Sequence, residues 1–597
     1  FRSASSLIVP VELLVMEASL LTLPLTAVAE ALDHAITVDP NWTGTTITSS
    51  QNNLHHDIST THINGSVAAN KFTKFQVGEK HLVDMHLPTN TNHLVNFVDN
   101  KISVNGTVNA LKGSKVGGNL YFVSPQGMIV GKTGVINAGS LTAVITTDDA
   151  YKKYSELSDK KLPLGLGQKE EEALATLQKM QQGEVPLNPA GVITVNGSIN
   201  TGNRITLAAS QIHLESGAKL SNLETDFKDL VHIKEGQNVV TQSSVSDAMV
   251  TREADDGSGD ILLLARSDSS ATGSIAGPVT KQKVEAKIKV ANGASVKSRE
   301  NVKVSSMAGN GVYDINKSLR PSGYEQLSAE EKAKKDREIG HFVSDGKHKL
   351  LDVSSEIRID GVITAAKDLD VNSVAENRLV KSSTTMADLS TGLTLEILGT
   401  ATPFNEAVYY ADLKTSSLIN IGKDASLSAR QNLSLASVAD IKLEAGTSTS
   451  LFNLFNTEST QKVPSIAAIV ALADSSSTVN VAGSLKAGKD LTITSADDLT
   501  VEASATAATK ESKAVQTSVL VAKLKGTSDI NVESSALLDI VKDAGKVEIS
   551  STQNSSVKTE SSVVVQDGSY GGLAFNYTEL DTHSNVLLNT GFTNEAF

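Results

Sequence analysis

Apolar residues return at every second position through most of this chain, in runs that small or polar turns interrupt. Leu433 and Leu435, Leu491 and Ile493, and Val547 and Ile549 are three such pairs. Period two predicts β-strands with one face buried. The runs also recur as a unit. KIKVANGASVKSRENVKVSSMA (287–308), EIRIDGVITAAKDLDVNSVA (356–375), LINIGKDASLSARQNLSLASVA (418–439), TVNVAGSLKAGKDLTITSAD (478–497) and DINVESSALLDIVKDAGKVEISS (529–551) share one grammar. An alternating strand comes first, then a Gly or small turn, a second short strand, a polar turn and a third alternating strand. Residues 101–124 and 192–210 carry the same order, and GDILLLARSDS from Gly259 reads as one more strand.

Three short strands with their turns take roughly 20 to 25 residues, one coil of a right-handed parallel β-helix. A coil cannot bury its inner face alone, so stacking is obligatory. The stretches between the copies are expected to hold further, less clearly written coils. On the order of 20 to 25 coils at about 4.8 Å each then give a rod near 100 Å long. The rival architecture is a chain of globular β-sandwiches, whose strands do not normally repeat this closely. The expected fold class is therefore all-β, a right-handed parallel β-helix with an N-terminal cap and two short helical insertions. The first insertion is expected at 148–184, where Ala173, Leu174, Leu177 and Met180 stand at helical spacing. The second is expected at 318–345, with Ser328 as N-cap and Glu331 three residues on. Both read as decorations of the rod's outside, either solvated loops or partner contacts.

Composition narrows the picture. Aromatics make up 4% of the 597 residues, with a single Trp, which suits a thin core of Val, Ile, Leu and Ala. The net charge of −14 and the lack of a basic cluster with interleaved aromatics argue against nucleic-acid binding. There is no Cys, which excludes disulfides, thiolate metal sites and Cys nucleophiles, and leans toward an exported protein. An apolar run over 18–29 followed by Ala-x-Ala patterns reads as the remnant of a signal peptide over 1–31, or else as an ordinary N-terminal helix.

One stretch stands out for its glycines. SPQGMIVGKTGVINAGSLTAV (124–144) has no acidic residue and no His, and Gly127, Gly131, Gly134 and Gly139 punctuate short apolar pairs. Before it come AANKFTKFQVGEKHLVDMHLP (68–88) and HLVNFVDNKISVNGTVNA (93–110), and it continues GGNLYFVS (117–124). These pieces, in this order, resemble the secretion domain of two-partner secretion exoproteins, the filamentous-haemagglutinin-like proteins of Gram-negative bacteria. Within that family the sequence is most similar to the large fusobacterial leukotoxin-type exoproteins, which also continue as PLNPAGVITVNGSIN does here (186–200). The resemblance implies a two-partner secretion domain over 32–210 and a β-helical shaft over 211–597 that continues further. It also implies recognition by the periplasmic domains of an outer-membrane β-barrel transporter, with the protein secreted or held at the cell surface. The shaft would act on a host cell surface or glycan, in adhesion or in leukotoxin-like cytotoxicity. The implied recognition residues are Asn119, Ser124, Pro125, Gln126, Gly127, Met128 and Gly131. The family's hallmark is Asn-Pro-Asn-Gly; here Ser124 and Gln126 replace both Asn, while Pro125 and Gly127 keep the turn's backbone demands. Asn188-Pro189-Ala190-Gly191 lies later than either of the family's motifs. One face of the ribbon is expected to stack and the other to lie against a transporter strand.

Other chemistry is sparse. Six of the twelve His fall at His55, His56, His62, His81, His86 and His93, but no ligand pair is expected to share a strand face with a carboxylate, so no metal site is expected. DDGSGD (255–260) reads as a polar turn with weak calcium potential. Parallel β-helices also host polysaccharide lyases and hydrolases, for which Asp148, Asp149 and Arg204 are the candidates; this is the alternative to a non-enzymatic, cofactor-free exoprotein.

Overall fold

A computed structural model describes residues 34–113, 115–156, 169–223, 259–268, 279–314, 328, 348–385, 405–448, 465–508, 515–540, 545–564 and 571–593. The chain winds as a parallel β-helix. Three ladders of parallel strands run its length, two of them joined in one 23-stranded sheet and the third forming a 14-stranded sheet. The first ladder climbs through Val67–Val77, His93–Val98, Asn119–Ser124, Ser140–Ile145 and Ile205–Ala209 to Val547–Val564. The second climbs from Ile102–Val104 through Met128–Val130 and Val192–Val195 to Gly572–Leu588, and the third from His55–Thr60 to Phe592–Thr593. Val, Ile, Leu and Ala from all three meet in one continuous core from Ile58 to Leu538. The expected signal-peptide segment 1–31 lies outside the described residues. So does the second helical insertion, apart from Ser328.

The coil count is lower than the sequence predicts. Among the described residues the first ladder has eleven strands, hence eleven coils and a rod about 50 Å long at the usual strand spacing. The described residues between the repeated copies are not hidden coils. They lengthen the strands of the same coil. Early coils are compact: successive first-ladder strands begin at His93, Asn119 and Ser140. Late ones begin at Leu369, Leu433, Leu491 and Val547, and their strands reach 16 to 18 residues, as in Leu433–Ser448 and Leu491–Ala508. The extra length of the first and second ladders runs out from one corner of the prism, and the two sheets close on each other there. They form a fin with its own core of Leu379, Leu413, Ile441, Leu443, Ile469, Val501 and neighbours, separate from the core of the prism. Period two runs unbroken along a 17-residue strand, so hydrophobic alternation alone cannot tell a long strand from two short ones.

A file of serines marks the neck between prism and fin. Ser355, Ser373, Ser417, Ser437, Ser477, Ser495, Ser528, Ser551 and Ser584 each donate Oγ–H to the preceding Oγ, beginning at Ser306, over 2.8–3.0 Å. The file crosses from one sheet to the other at every step. Ser306 to Ser528 are all buried, and they interrupt the inward apolar row of each strand, with Thr415, Ser475 and Asp497 as further buried polar neighbours. A small side chain lets the two sheets approach, and its hydroxyl must find a partner there or lose about 1–3 kcal/mol. The polar turns of the repeat stack in a similar way. Asp260 Oδ1 accepts from Asn301 N and Nδ2, and Asp368 Oδ1 does the same for Asn432 one repeat further on.

The start of the rod is closed by antiparallel pairing. Ala35–Val38 runs against Val67–Val77, and Thr45–Ser50 against His55–Thr60. Such a cap uses up the edge groups that would otherwise invite another chain.

Candidate recognition turn and the histidine-rich cap

The first insertion covers the outer face of the first ladder. Helix Asp148–Ser155 is capped by Thr147, whose Oγ1 accepts from Ala150 N at 3.3 Å, and Tyr151 OH reaches Asp99 Oδ1 at 2.8 Å. Burial and the Asp99 carboxylate push the Tyr151 phenol up from its ordinary pKa. Helix Glu170–Gln181 buries Ala173, Leu177 and Met180 against Val95, Phe97, Tyr121, Val123 and Val144, in a third core that also takes in Trp42. Three anchors fix it across several coils. Glu170 Oε1 accepts from Ser66 N at 2.8 Å, which holds its carboxyl below the usual range. Gln181 Nε2 donates to Tyr121 OH at 2.7 Å, and Thr206 Oγ1 donates to Gln181 O at 3.2 Å. The two helices of the insertion are thus packed onto the coils through one face rather than free in solvent, and their outward faces are exposed. Within the ribbon 124–144, the outer face of Ser140–Ile145 lies against the chain's own helix through Val144, and all six residues of that strand are buried.

The predicted recognition residues all lie on the third coil, five of them at one corner and Asn119 and Gly131 at the far ends of the two flanking strands. Asn119 and Ser124 bound one strand, Pro125 to Gly127 turn the corner, Met128 opens the next strand and Gly131 follows it. Six of the seven are buried, and only Gln126 is exposed. Ser124 Oγ accepts from Gln126 N at 3.1 Å and donates to Asn100 O at 3.0 Å. That is the work an Asn amide would do in this turn, so the Ser keeps the turn's internal bond. Gly127 has φ of +104°, and a Cβ there would stand 2.8 Å from Val192 O. A Cβ on Gly131 would meet Asn105 Oδ1. Coil stacking and the backbone therefore demand Gly127, whereas at Gly131 the Asn105 side chain would have to move aside.

Asn188-Pro189-Ala190-Gly191 is the same turn one coil later. Met128–Val130 and Val192–Val195 are paired strands. Asn188 Oδ1 accepts from Ala190 N at 2.9 Å, as Ser124 Oγ does from Gln126 N, and Asn188 Nδ2 donates to Pro125 O at 2.8 Å. The insertion separates the two turns in sequence, and their shared Pro-x-Gly spelling is the signal that links them.

The candidates for the enzymatic alternative sit apart in the insertion. Asp148 and Asp149 form the exposed first turn of its first helix, whereas Arg204 donates Nη1 to Gln181 Oε1 at 3.3 Å beside the end of its second. Of DDGSGD, only Gly259 and Asp260 are described, and Asp260 holds Asn301.

Most of the imidazoles gather in the cap. His56 points inward with Ile58, on a strand paired to Leu82–Leu87. His81 just precedes that partner strand, and His34 just precedes Ala35–Val38. The rings of His34 and His56 stack at 4.1 Å, those of His34 and His81 at 3.9 Å, and His56 and His81 stand 5.3 Å apart. His56 Nε2 and His81 Nδ1 are 3.0 Å apart, and Ser49 Oγ meets His56 Nδ1 at 2.9 Å. Burial, reinforced by the neighbouring imidazoles, holds His34 down to about 3 and lowers His56; burial lowers His81. On the strand's other face, His55 Nε2 meets Asp84 Oδ2 at 2.9 Å and stands 3.8 Å from Asp57 Oδ1, which His86 Nε2 reaches at 2.7 Å. His55 and Asp57 thus share a strand face, contrary to the sequence reading, because residues two apart point the same way. His34 escaped that reading because only the antiparallel cap strand brings it beside residues 56 and 81.

No protein-family model matches the chain, and no curated protein does. The family resemblance rests on the motifs and their order along the coils.

Proposed function

We propose that this chain belongs to an exported, non-enzymatic exoprotein of the two-partner secretion type. Its first coils direct passage through an outer-membrane β-barrel transporter, and its shaft serves adhesion or leukotoxin-like cytotoxicity outside the cell. The observation that carries this reading is the placement of the motifs. The family's pieces fall in order on the first three coils, directly behind a closed cap, and the hallmark turn keeps its internal hydrogen bond despite two substitutions. Two physical features support it. Each coil bonds to its neighbours, so folding can propagate from the capped end as the chain emerges. A chain without Cys cannot be locked by disulfides before it crosses.

The experiment is a secretion assay in a Gram-negative host carrying the chain's transporter. Removal of residues 34–210, with the leader retained, abolishes release into the medium while the remainder still accumulates in the periplasm. Undiminished release of the truncated chain overturns the reading.

A further inference from the structure

We propose that His34, His56 and His81 form a site for one borderline divalent transition-metal cation, of which zinc is the representative. One ring nitrogen from each lies within 4.8 Å of the others, close enough to converge on a common ion. Zinc–imidazole bonds of about 2.0–2.1 Å in a tetrahedron need nitrogens roughly 3.3 Å apart, close to the 3.0 Å between His56 Nε2 and His81 Nδ1, while the His34 ring must swing out of its stack to aim a lone pair at the same ion. Three imidazoles and no carboxylate form a donor set for zinc, cobalt, nickel or copper and a poor one for calcium or magnesium. Such a set leaves the fourth tetrahedral position open.

The surroundings favour this assignment. Metal-binding imidazoles have the second ring nitrogen held by an outer group. Ser49 Oγ does this for His56 Nδ1 and leaves Nε2 facing His81. Gly78 N donates to His34 Nδ1 over a long 3.5 Å and leaves the opposite nitrogen of that ring. His56 is buried, while His34 and His81 are half-buried, so an ion has both a floor and an entry. The neighbouring group of His55, Asp57 and Asp84 is the weaker candidate, because its acceptors are already engaged. Asp84 holds His55 and Asn109, and Asp57 holds His86. A cation shared by the lone pairs of His34, His56 and His81 gives that trio a purpose.

The bound ion would staple the cap. His34 belongs to the segment entering Ala35–Val38, whereas His56 and His81 belong to the first coils. In a chain with no Cys, this is the cross-link that the sequence permits.

The test is zinc titration by calorimetry of the tag-free full chain after chelator treatment, with cobalt absorption as the geometric readout. The expected result is one saturable equivalent and a cobalt spectrum of tetrahedral type. His34→Ala, a half-exposed position, weakens zinc at least about a hundredfold with unchanged circular dichroism. His81→Gln does the same, while His55→Ala and His86→Ala stay within about threefold. Zinc also raises the melting temperature of the native chain and not that of His34→Ala. Absence of saturable binding, or His34→Ala binding as the native chain does, overturns the proposal. Loss of binding in His55→Ala with His34→Ala intact assigns the ion to the other group and overturns it equally.

Discussion

The two ends of this rod solve one problem in different ways. A β-helix that carries more apolar surface than its prism can enclose needs a second place to put it. Near the cap the chain keeps its coils short and lays helix Glu170–Gln181 over the outside. There Asn119–Ser124 and Ser140–Ile145 are buried on both faces. Toward the other end it lengthens two strands per coil and folds the surplus into a fin. There Gln516–Val532 alternates buried and partly exposed residues almost throughout. The first solution needs a foreign element and specific anchors. The second needs only repetition, with a row of small hydroxyl side chains where the sheets draw together.

Paired core truncations give the largest contrast. Leu177→Ala strips the helix from the sheet and Leu443→Ala opens a cavity in the fin, each at about 2–4 kcal/mol. Hydrogen exchange separates them. Leu177→Ala speeds exchange in Asn119–Ser124 and leaves Leu433–Ser448 protected, and Leu443→Ala does the reverse. If either variant loosens both regions equally, the two are a single cooperative unit.

Asp497 gives a pH signature confined to the fin's neck. It is fully buried, it accepts from Ser475 Oγ, and burial pushes its carboxyl up to about 6. Between about pH 4 and 6 the folded chain holds a proton that the unfolded chain releases, so stability falls as pH rises through that window. The cost is fully present above pH 6, at roughly 2–3 kcal/mol. His34, His56 and His81, held below their ordinary range, contribute the opposite slope over the same window, so the readout is the difference between the native chain and Asp497→Asn in denaturant titrations from about pH 4 to 8. Asp497→Asn gains stability relative to the native chain as pH rises through about 4 to 6, and a pH-independent difference assigns no slope to Asp497.

Ser437→Ala interrupts the serine file and leaves Ser417 and Ser477 each short of a partner, for about 1 kcal/mol by chemical denaturation. The smallest structural effect belongs to Gln126→Ala, within about 0.5 kcal/mol because the side chain is exposed. If the transporter reads the folded turn, this variant lowers secretion several-fold with an unchanged unfolding midpoint. Equal secretion removes the Gln126 side chain from any recognition role and leaves it a solvent-facing residue of a packed corner.

Alternation and the repeated copies were enough to read the strands, the parallel stacking and the first insertion's helix from the chain. The number of coils was not, because Leu433, Leu435, Ile441 and Leu443 keep one parity while passing from one core into another. The serines at the neck hold that same parity and look like any interruption of an apolar run. At the turn, Pro125 and Gly127 announced a corner, but not that Asn188 would stack on it from beyond the insertion. The imidazole trio was hidden for a similar reason. Its members come from three separate segments, and an antiparallel return, rather than the repeat, places His34 beside the others.

A hydroxyl owns a single hydrogen, and in the file from Ser306 to Ser584 most members have two places to put it. Ser355, Ser373, Ser417, Ser437, Ser495 and Ser551 each stand 2.7–3.1 Å from a main-chain carbonyl as well as beside the preceding Oγ. A member can therefore turn its hydrogen to the main chain without disturbing its neighbour, and one alanine is a local break rather than a division of the molecule.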